Sequence, residues 1–137
     1  MKRLFLLCVL FSCFQFVLRA QDAEGLIREA LRLEQSMHEK DALAKYIEAL
    51  RLQPLNAHVL SRCSKLCSRI GKRESSEKSR ADYYEAAKTY AGLALKVQPL
   101  DAEANTSMAI ALGRISMEKS GKEKVKAARH IRKHVDQ

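Results

Sequence analysis

An all-α fold made of repeated helical hairpins is the architecture that this sequence predicts, and three features predict it. The stretch 41–57 has a second copy at 86–102. Aligned on Pro54 and Pro99, both copies read Ala-Leu, a basic residue, an apolar residue, Gln-Pro-Leu, an Asn or Asp, and Ala. Apolar residues recur every three or four positions, while the chain holds only 5 Gly and 2 Pro. A helix ending that occurs twice indicates an array of helical repeats.

The apolar spacing predicts six helices, each about three to five turns long. They run from Asp22 to about Met37, Ala42 to about Gln53, Ala57 to Ile70, Arg80 to Val97, Ala102 to Glu118 and Lys122 to Gln137. A polar residue just before a helix can accept a free backbone amide of its first turn. The predicted caps are Asp22, Asp41, Asn56 and Asp101.

The predicted breaks between helices follow from residues that cannot continue a helix. Pro54 and Pro99 end the second and fourth helices, because the residue before a proline is pushed out of the helical region. Gly71 is the predicted C-cap of the third helix, since glycine enters the left-handed conformation cheaply. The segment 72–79 holds no apolar residue and is either a surface loop or a charged extension of the neighbouring helices.

Residues 1–20 read as a secretory signal peptide. Lys2 and Arg3 precede an apolar run, and Ala20 offers a small residue before cleavage at Gln21. The run is about 15 residues long, shorter than the ~20 that span a bilayer, but an uncleaved membrane anchor is the alternative. Cleavage would remove three cations, the third being Arg19, and lower the net charge from +9 to +6. The sequence therefore predicts an exported chain, periplasmic or secreted, with a helical domain over 21–137.

The repeated segments resemble the tetratricopeptide repeat, a helical hairpin of about 34 residues with small and aromatic residues at fixed places. The resemblance predicts a solenoid of about three hairpins, with units at about 23–56, 57–101 and 102–137, the last incomplete. The 45 residues between Pro54 and Pro99 make the second unit about 11 residues longer than the repeat. The residues that carry the signature, and that we expect in or beside the core, are Ala42, Tyr46, Ala49, Pro54, Leu60, Cys63, Cys67, Ala87, Ala94 and Pro99.

A narrower resemblance covers about 26–137. The long second unit and three segments are similar to tetratricopeptide proteins related to regulators of microtubule dynamics. The segments are Arg80-Ala-Asp-Tyr-Tyr-Glu-Ala-Ala-Lys, Ala109-Ile-Ala-Leu-Gly-Arg and the basic stretch that ends Ile131-Arg-Lys-His-Val-Asp. This resemblance implies a non-catalytic helical scaffold. The Ala-Gln junction after the leader resembles bacterial leaders of the Bacteroidetes type, and for a secreted bacterial protein a microtubule partner would make no sense.

The residues give no sign of catalysis, of a cofactor or of a metal. Cys63 and Cys67 share one helix face without further ligands nearby, so we expect them to be small buried hydrophobes. His130 and His134 are spaced for a metal, but the cations around them disfavour one. The sequence lacks a nucleophile elbow, a phosphate-binding glycine loop and a zinc-protease helix. The prediction is a protein that is not an enzyme, without a small-molecule substrate.

Two surfaces are candidates for binding. In tetratricopeptide proteins the first helix of each unit lines the concave face, and by helical phase the exposed candidates there are Arg28, Arg32, Gln35, Arg62, Lys65, Arg69 and Asn105. The second surface is a basic patch in the last helix, made of Lys119, Lys122, Lys124, Lys126, Arg129, Arg132 and Lys133. A solvated helix face is the ordinary explanation of such a patch. Aromatic residues between the cations, which would favour single-stranded nucleic acid, are missing.

The function that these observations predict is a protein–protein interaction scaffold whose solenoid surface binds a partner protein. The alternative is electrostatic binding of an anionic membrane, a polymer or a tubulin-like acidic surface through the basic last helix. Salt would distinguish the two, because a charge-driven contact weakens steeply as ionic strength rises. Nucleic acid is disfavoured as a partner.

The sixth predicted helix is still in phase at Gln137, with no closing proline or capping glycine. Solenoids need a cap over their last apolar face, so we expect that the sequence is a fragment or that the chain pairs with itself. Sizing chromatography with light scattering checks this prediction, and a well-folded monomer would count against it.

Overall fold

The computed structural model describes residues 22–118, 128–129 and 131–135, and every regular element among them is α-helical. Helical backbone is also found at 128–129 and 131–135, and no helix in the described part of the chain is long and apolar enough to cross a membrane. The main elements are α1 (22–35), α2 (Glu39–Leu52), α3 (Ala57–Arg73), α4 (Glu77–Val97) and α5 (Ala102–Met117). The all-α class predicted from the sequence is confirmed.

The two copies of the repeated stretch end their helices in the same way. The backbone amides of Gln53 and Gln98 each bond the carbonyl four residues earlier at 2.9 Å. Each glutamine carbonyl then accepts the amide three residues on, from Asn56 or Asp101, at 3.2 Å. Asn56 and Asp101 in turn cap α3 and α5. One short sequence thus closes one helix and starts the next in both places.

The start of α2 corrects the predicted boundary. The helix begins at Glu39 rather than Ala42, so Asp41 lies inside the first turn and is not the cap. His38 takes the cap position, but its side chain accepts no hydrogen bond from the first turn of the helix. Met37 has a φ of 65°, and the chain turns there because the amides of Met37 and His38 bond the carbonyls of Glu34 and Leu33. The turn needs fewer residues than predicted, and α2 starts directly after it.

The end of α3 corrects one further prediction and decides between two alternatives for the segment 72–79. Gly71 is not a C-cap: it lies within α3, which continues to Arg73, and its φ is not positive. Its hydrogen in place of a side chain serves close packing instead, since a Cβ there would lie 2.8 Å from Cε1 of Tyr84. The segment 72–79 is mostly the charged extension of two helices, and only 74–76 connects them.

Helix α3 occupies the centre of the described fold. It packs most extensively on α4 and also contacts α5 and α2. Its buried residues join a core that includes Ile27 of α1, Tyr46 of α2 and Ala87 of α4. Small side chains on several of these helices let their backbones approach closely while larger residues fill the space between them.

The contacts between helix ends give the direction of each helix. The end of α1 meets the end of α3 through Glu34 and Arg69, and the start of α3 meets the start of α5 through His58 and Glu103. Helices α1, α3 and α5 therefore run the same way. The start of α2 meets the end of α3, and the start of α4 meets the residue that follows α5. Helices α2 and α4 therefore run the opposite way.

Replacing Gly71 by alanine should destabilise the fold. In a helix interior this change normally stabilises by about 1 kcal/mol, but here the new Cβ would press on the Tyr84 ring and on Cβ of Tyr83. We expect a loss of about 1–3 kcal/mol, the usual range for overpacking. Chemical denaturation followed by circular dichroism measures it.

The matched control is Gly25→Ala in α1, where an added Cβ would meet nothing within 4 Å. That variant should be as stable as the parent chain or more stable by up to about 1 kcal/mol. If Gly71→Ala and Gly25→Ala have the same free energy of unfolding, the space between α3 and α4 at Tyr84 can accept a Cβ and the prediction is wrong.

Candidate interaction site

Five basic side chains lie on one face of α3. His58, Arg62, Lys65, Arg69 and Arg73 are separated by four, three, four and four residues, which places them in one row along the helix. We call this row the α3 basic stripe. The other sides of α3 are buried against neighbouring helices, so the stripe is the side on which α3 meets solvent.

Three glutamates from three other helices meet the α3 basic stripe. Glu34 of α1 accepts from Nη2 of Arg69 at 2.6 Å. Glu39 of α2 pairs with Nε of Arg69 at 3.0 Å and accepts from Nη1 of Arg73. The stripe therefore ties α1 and α2 to the end of α3.

The other end of the stripe is tied to α5. Glu103 accepts from Nζ of Lys65 at 2.9 Å and lies 2.8 Å from Nδ1 of His58. Arg62 sits midway and is more loosely held, with Nη1 at 3.7 Å from Glu34 and Nε at 4.0 Å from Glu103. Each of the neighbouring helices α1, α2 and α5 thus places one carboxylate against α3.

The acids and the bases of this network differ in exposure. The side chains of Glu39, Glu34 and Glu103 are 6%, 12% and 27% exposed. The four Arg and Lys side chains of the stripe are 31–56% exposed, with Arg73 the most open. The Glu34 and Glu39 carboxylates therefore lie beneath their cations, whereas Glu103 is nearly as exposed as Lys65. The surface that a partner would meet is basic.

The electrostatics of Glu103 follow from two opposed causes. Burial raises the pKa of its carboxyl, but the hydrogen bonds from Lys65 and His58 and their positive charges lower it by more, so the pKa lies below its ordinary value. The charged form is thus favoured in the folded state. Its contribution to stability is present above the ordinary carboxyl pKa and is lost as the pH falls through the lowered one.

Nearby, Tyr46 extends the network into the core. Its hydroxyl donates to Oε2 of Glu34 at 3.3 Å. Burial and the adjacent Glu34 carboxylate raise the pKa of this phenol far above its ordinary value, so Tyr46 stays a neutral donor. The predicted signature aromatic therefore also holds the acid that meets Arg69.

The seven residues proposed for the partner-binding surface have different surroundings. Arg28, Arg32 and Gln35 are exposed on α1, whereas Arg62, Lys65 and Arg69 belong to the α3 basic stripe. His58, Arg73 and the three glutamates were missed by the sequence analysis. The regular spacing of the cations along α3 could have revealed His58 and Arg73, but the glutamates are distant in sequence and carry no local signal.

Asn105 corrects one of the predicted surface residues, since it is buried rather than exposed. Its Nδ2 donates to the carbonyls of Pro99 and Asp101 at 3.2 and 3.1 Å. Its Oδ1 lies 2.8 Å from Nδ1 of His134, which belongs to the last described helical segment. Helical phase alone could not show that another segment covers this side of α5.

The basic patch predicted for the last helix is described only in part. Arg129, Arg132 and Lys133 are exposed. The positions 119, 122, 124 and 126 lie outside the described residues. The ion pairs of the α3 basic stripe are therefore described more completely than the surroundings of the basic patch in the last helix.

Most of the signature residues are in the core. Tyr46, Leu60 and the signature alanines are buried, but Pro54 and Pro99 are exposed because they follow the last turn of a helix and point away from the core. Cys63 and Cys67 are free and buried. Burial raises the pKa of Cys63 strongly and that of Cys67 to about 12, which keeps both thiols protonated. The described residues contain no group of His, Cys, Asp or Glu that could hold a metal ion.

Glu39→Gln should destabilise the fold by about 1.5–3 kcal/mol, the usual contribution of a hydrogen bond to a charged group. The amide keeps the shape of the side chain but removes the charge that faces Arg69 and Arg73. Urea denaturation at neutral pH measures the change.

Asp41→Asn is the matched control, because Asp41 is also an acid in the first turn of α2 but is exposed. Its effect should stay within about 0.5 kcal/mol. Equal losses of stability in the two variants would mean that the arginine contacts add nothing beyond the general stabilisation that any acid gives at the start of a helix.

No curated protein matches the chain. A family model described as "Regulator of microtubule dynamics protein 1-3" matches residues 26–137, more than four-fifths of the chain and all but the first few described residues. The chain belongs to the regulator of microtubule dynamics protein 1-3 family.

Proposed function

We propose that this chain is a non-catalytic scaffold that binds other proteins through a tetratricopeptide-like solenoid of helical hairpins. Three features support the solenoid. Helices α1, α3 and α5 run one way and α2 and α4 the other, α3 contacts the equivalent helix α5 of the next unit, and the two Gln-Pro-Leu turns have the same hydrogen bonds. In such an array the first helices of the hairpins form one continuous surface.

The observation that carries the proposal is the exposed charge on that surface. The α3 basic stripe lies outside, its counter-charges lie beneath, and Arg28 and Arg32 add two exposed cations on α1. Cations held in fixed positions by a rigid helix are suited to steering and orienting an acidic protein. We therefore infer that the surface formed by α1, α3 and α5 is the partner-binding face.

The family's name connects its members with microtubule dynamics. We propose polymerised tubulin as the partner to be tested first. Microtubules are cytosolic, so this partner fits the anchored alternative for residues 1–20, with the helical domain on the cytosolic side. Export after cleavage at Gln21 would require a different protein partner. The intact mass of the natural product, beginning at Met1 or at Gln21, distinguishes these two proposals.

Cosedimentation with polymerised tubulin tests the function. The chain should pellet with microtubules at physiological salt and should pellet less with actin filaments, which are also acidic. Arg32→Glu should weaken the binding several-fold, because it reverses a charge on the proposed face. The Arg32 side chain makes no ion pair or hydrogen bond in the described part of the chain, and the bond from the Ser36 hydroxyl to the Arg32 carbonyl does not depend on it, so the fold should be unaffected.

Arg51→Glu is the matched control on α2, where Arg51 is exposed and its side chain likewise has no described contact. This variant should bind like the parent chain. Failure of the parent chain to pellet above the actin control would refute tubulin as the partner, and equal losses for both variants would place the binding face elsewhere.

A further inference from the structure

The α3 basic stripe has more positive charge than its own acids neutralise. Four permanent cations, Arg62, Lys65, Arg69 and Arg73, face three carboxylates. His58 adds a fifth side chain that becomes a cation when protonated. At least one positive charge is therefore left over, and it lies on the exposed side of the network.

The cations also keep hydrogen-bond donors that the described contacts do not use. A guanidinium carries five N–H groups and an ammonium three. Arg69 uses Nε and Nη2, Arg73 uses Nη1, and Lys65 gives a single bond to Glu103. The carboxylates are the more buried partners. Beside Arg69 and Arg73 an incoming carboxylate would thus meet unused donors rather than Glu34 and Glu39, whereas Glu103 lies nearly level with Lys65.

The spacing along the stripe sets the shape of what it can bind. From Arg62 to Arg73 the helix rises by roughly 16 Å, in steps of about 4.5–6 Å from one cation to the next. Side chains on one face of an extended peptide are about 6.6–6.8 Å apart, so three of them at alternate positions of a five-residue segment span about 13 Å. Three acidic residues at alternate positions of an extended segment would therefore fit within the length of the row of cations.

We propose that the α3 basic stripe binds an extended acidic segment of a partner protein, with Asp or Glu at alternate positions. This proposal rests on the protein-binding function proposed above and gives the chemistry of the partner. Glu103 acts as an internal competitor, because it occupies Lys65 and His58 and places a negative charge beside the segment's path. Removal of that carboxylate should therefore improve binding.

Fluorescence anisotropy with a labelled synthetic peptide tests the proposal. The peptide has about five extended residues with glutamate at alternate positions, and the matched peptide has glutamine there. The full chain should bind the glutamate peptide and not the glutamine peptide, and the binding should weaken as salt rises. Lys65→Gln should weaken it about fivefold, the effect of one partly exposed ion pair.

Two variants separate this effect from misfolding. Glu103→Gln should tighten binding roughly twofold to fivefold, because a like charge is removed, and loss of structure cannot mimic a gain. Lys96→Gln removes an exposed cation on α4 that has no described side-chain contact, and should bind like the parent chain. Circular dichroism checks that all variants keep their helix content.

The possible outcomes distinguish the acidic-segment proposal from the proposal of tubulin as the partner. Equal binding of the two peptides, weaker binding by Glu103→Gln, or binding only to anionic phosphatidylserine vesicles would overturn the acidic-segment proposal. A chain that pellets with microtubules but ignores the glutamate peptide keeps the proposed function and loses this inference. A chain that binds the peptide but does not pellet keeps the inference and loses tubulin as partner, and a chain that binds neither loses both.

Discussion

The burial of the Glu39 carboxylate against α3 is the constraint that holds α1, α2 and α3 in register. A charged group taken out of water costs several kcal/mol unless other charges and hydrogen bonds replace the water. Arg69 and Arg73 supply these from the last turns of α3. Because Arg69 also reaches Glu34 of α1, a slide of α3 by half a helical turn, roughly 2.7 Å, would draw the Glu34 and Glu39 carboxylates away from their partners at once.

This constraint contributes more to register than to net stability. Ion pairs of this kind often add little free energy beyond what apolar residues of the same volume would give, but breaking one is strongly destabilising. Apolar packing places α3 against α4 and is tightest where Gly71 meets Tyr84. The hydrogen bonds of Glu103 with Lys65 and His58, at 2.9 and 2.8 Å, place α3 against α5, and a slide of half a helical turn would break both. The charged contacts thus add to the alignment of α3 with α1, α2 and α5.

How far the sequence predicted this arrangement depends on the range of each interaction. The repeated Gln-Pro-Leu ending and the caps Asn56 and Asp101 were predictable because they involve only residues close in sequence. Asp41 failed as a cap because the turn at Met37 is tighter than the polar residues around it suggested. The burial of Asn105 depends on a helical segment far along the chain. The partners of Arg62, Lys65 and Arg69 are also distant in sequence, so helical phase placed these cations in one row but did not show the acids opposite them.

The extra length of the second unit contributes directly to the candidate site. The extra residues do not form a long loop: α3 has 17 residues and α4 has 21, against 14 in α2. The added turn of α3 carries Arg73, the most exposed cation of the stripe and a partner of Glu39. The same extension requires Gly71, because the longer α3 passes close to the Tyr84 ring of α4. An unextended α3 would have ended before Arg73 and left Arg69 alone to meet Glu39 of α2, so the departure from the repeat length completes the row of cations.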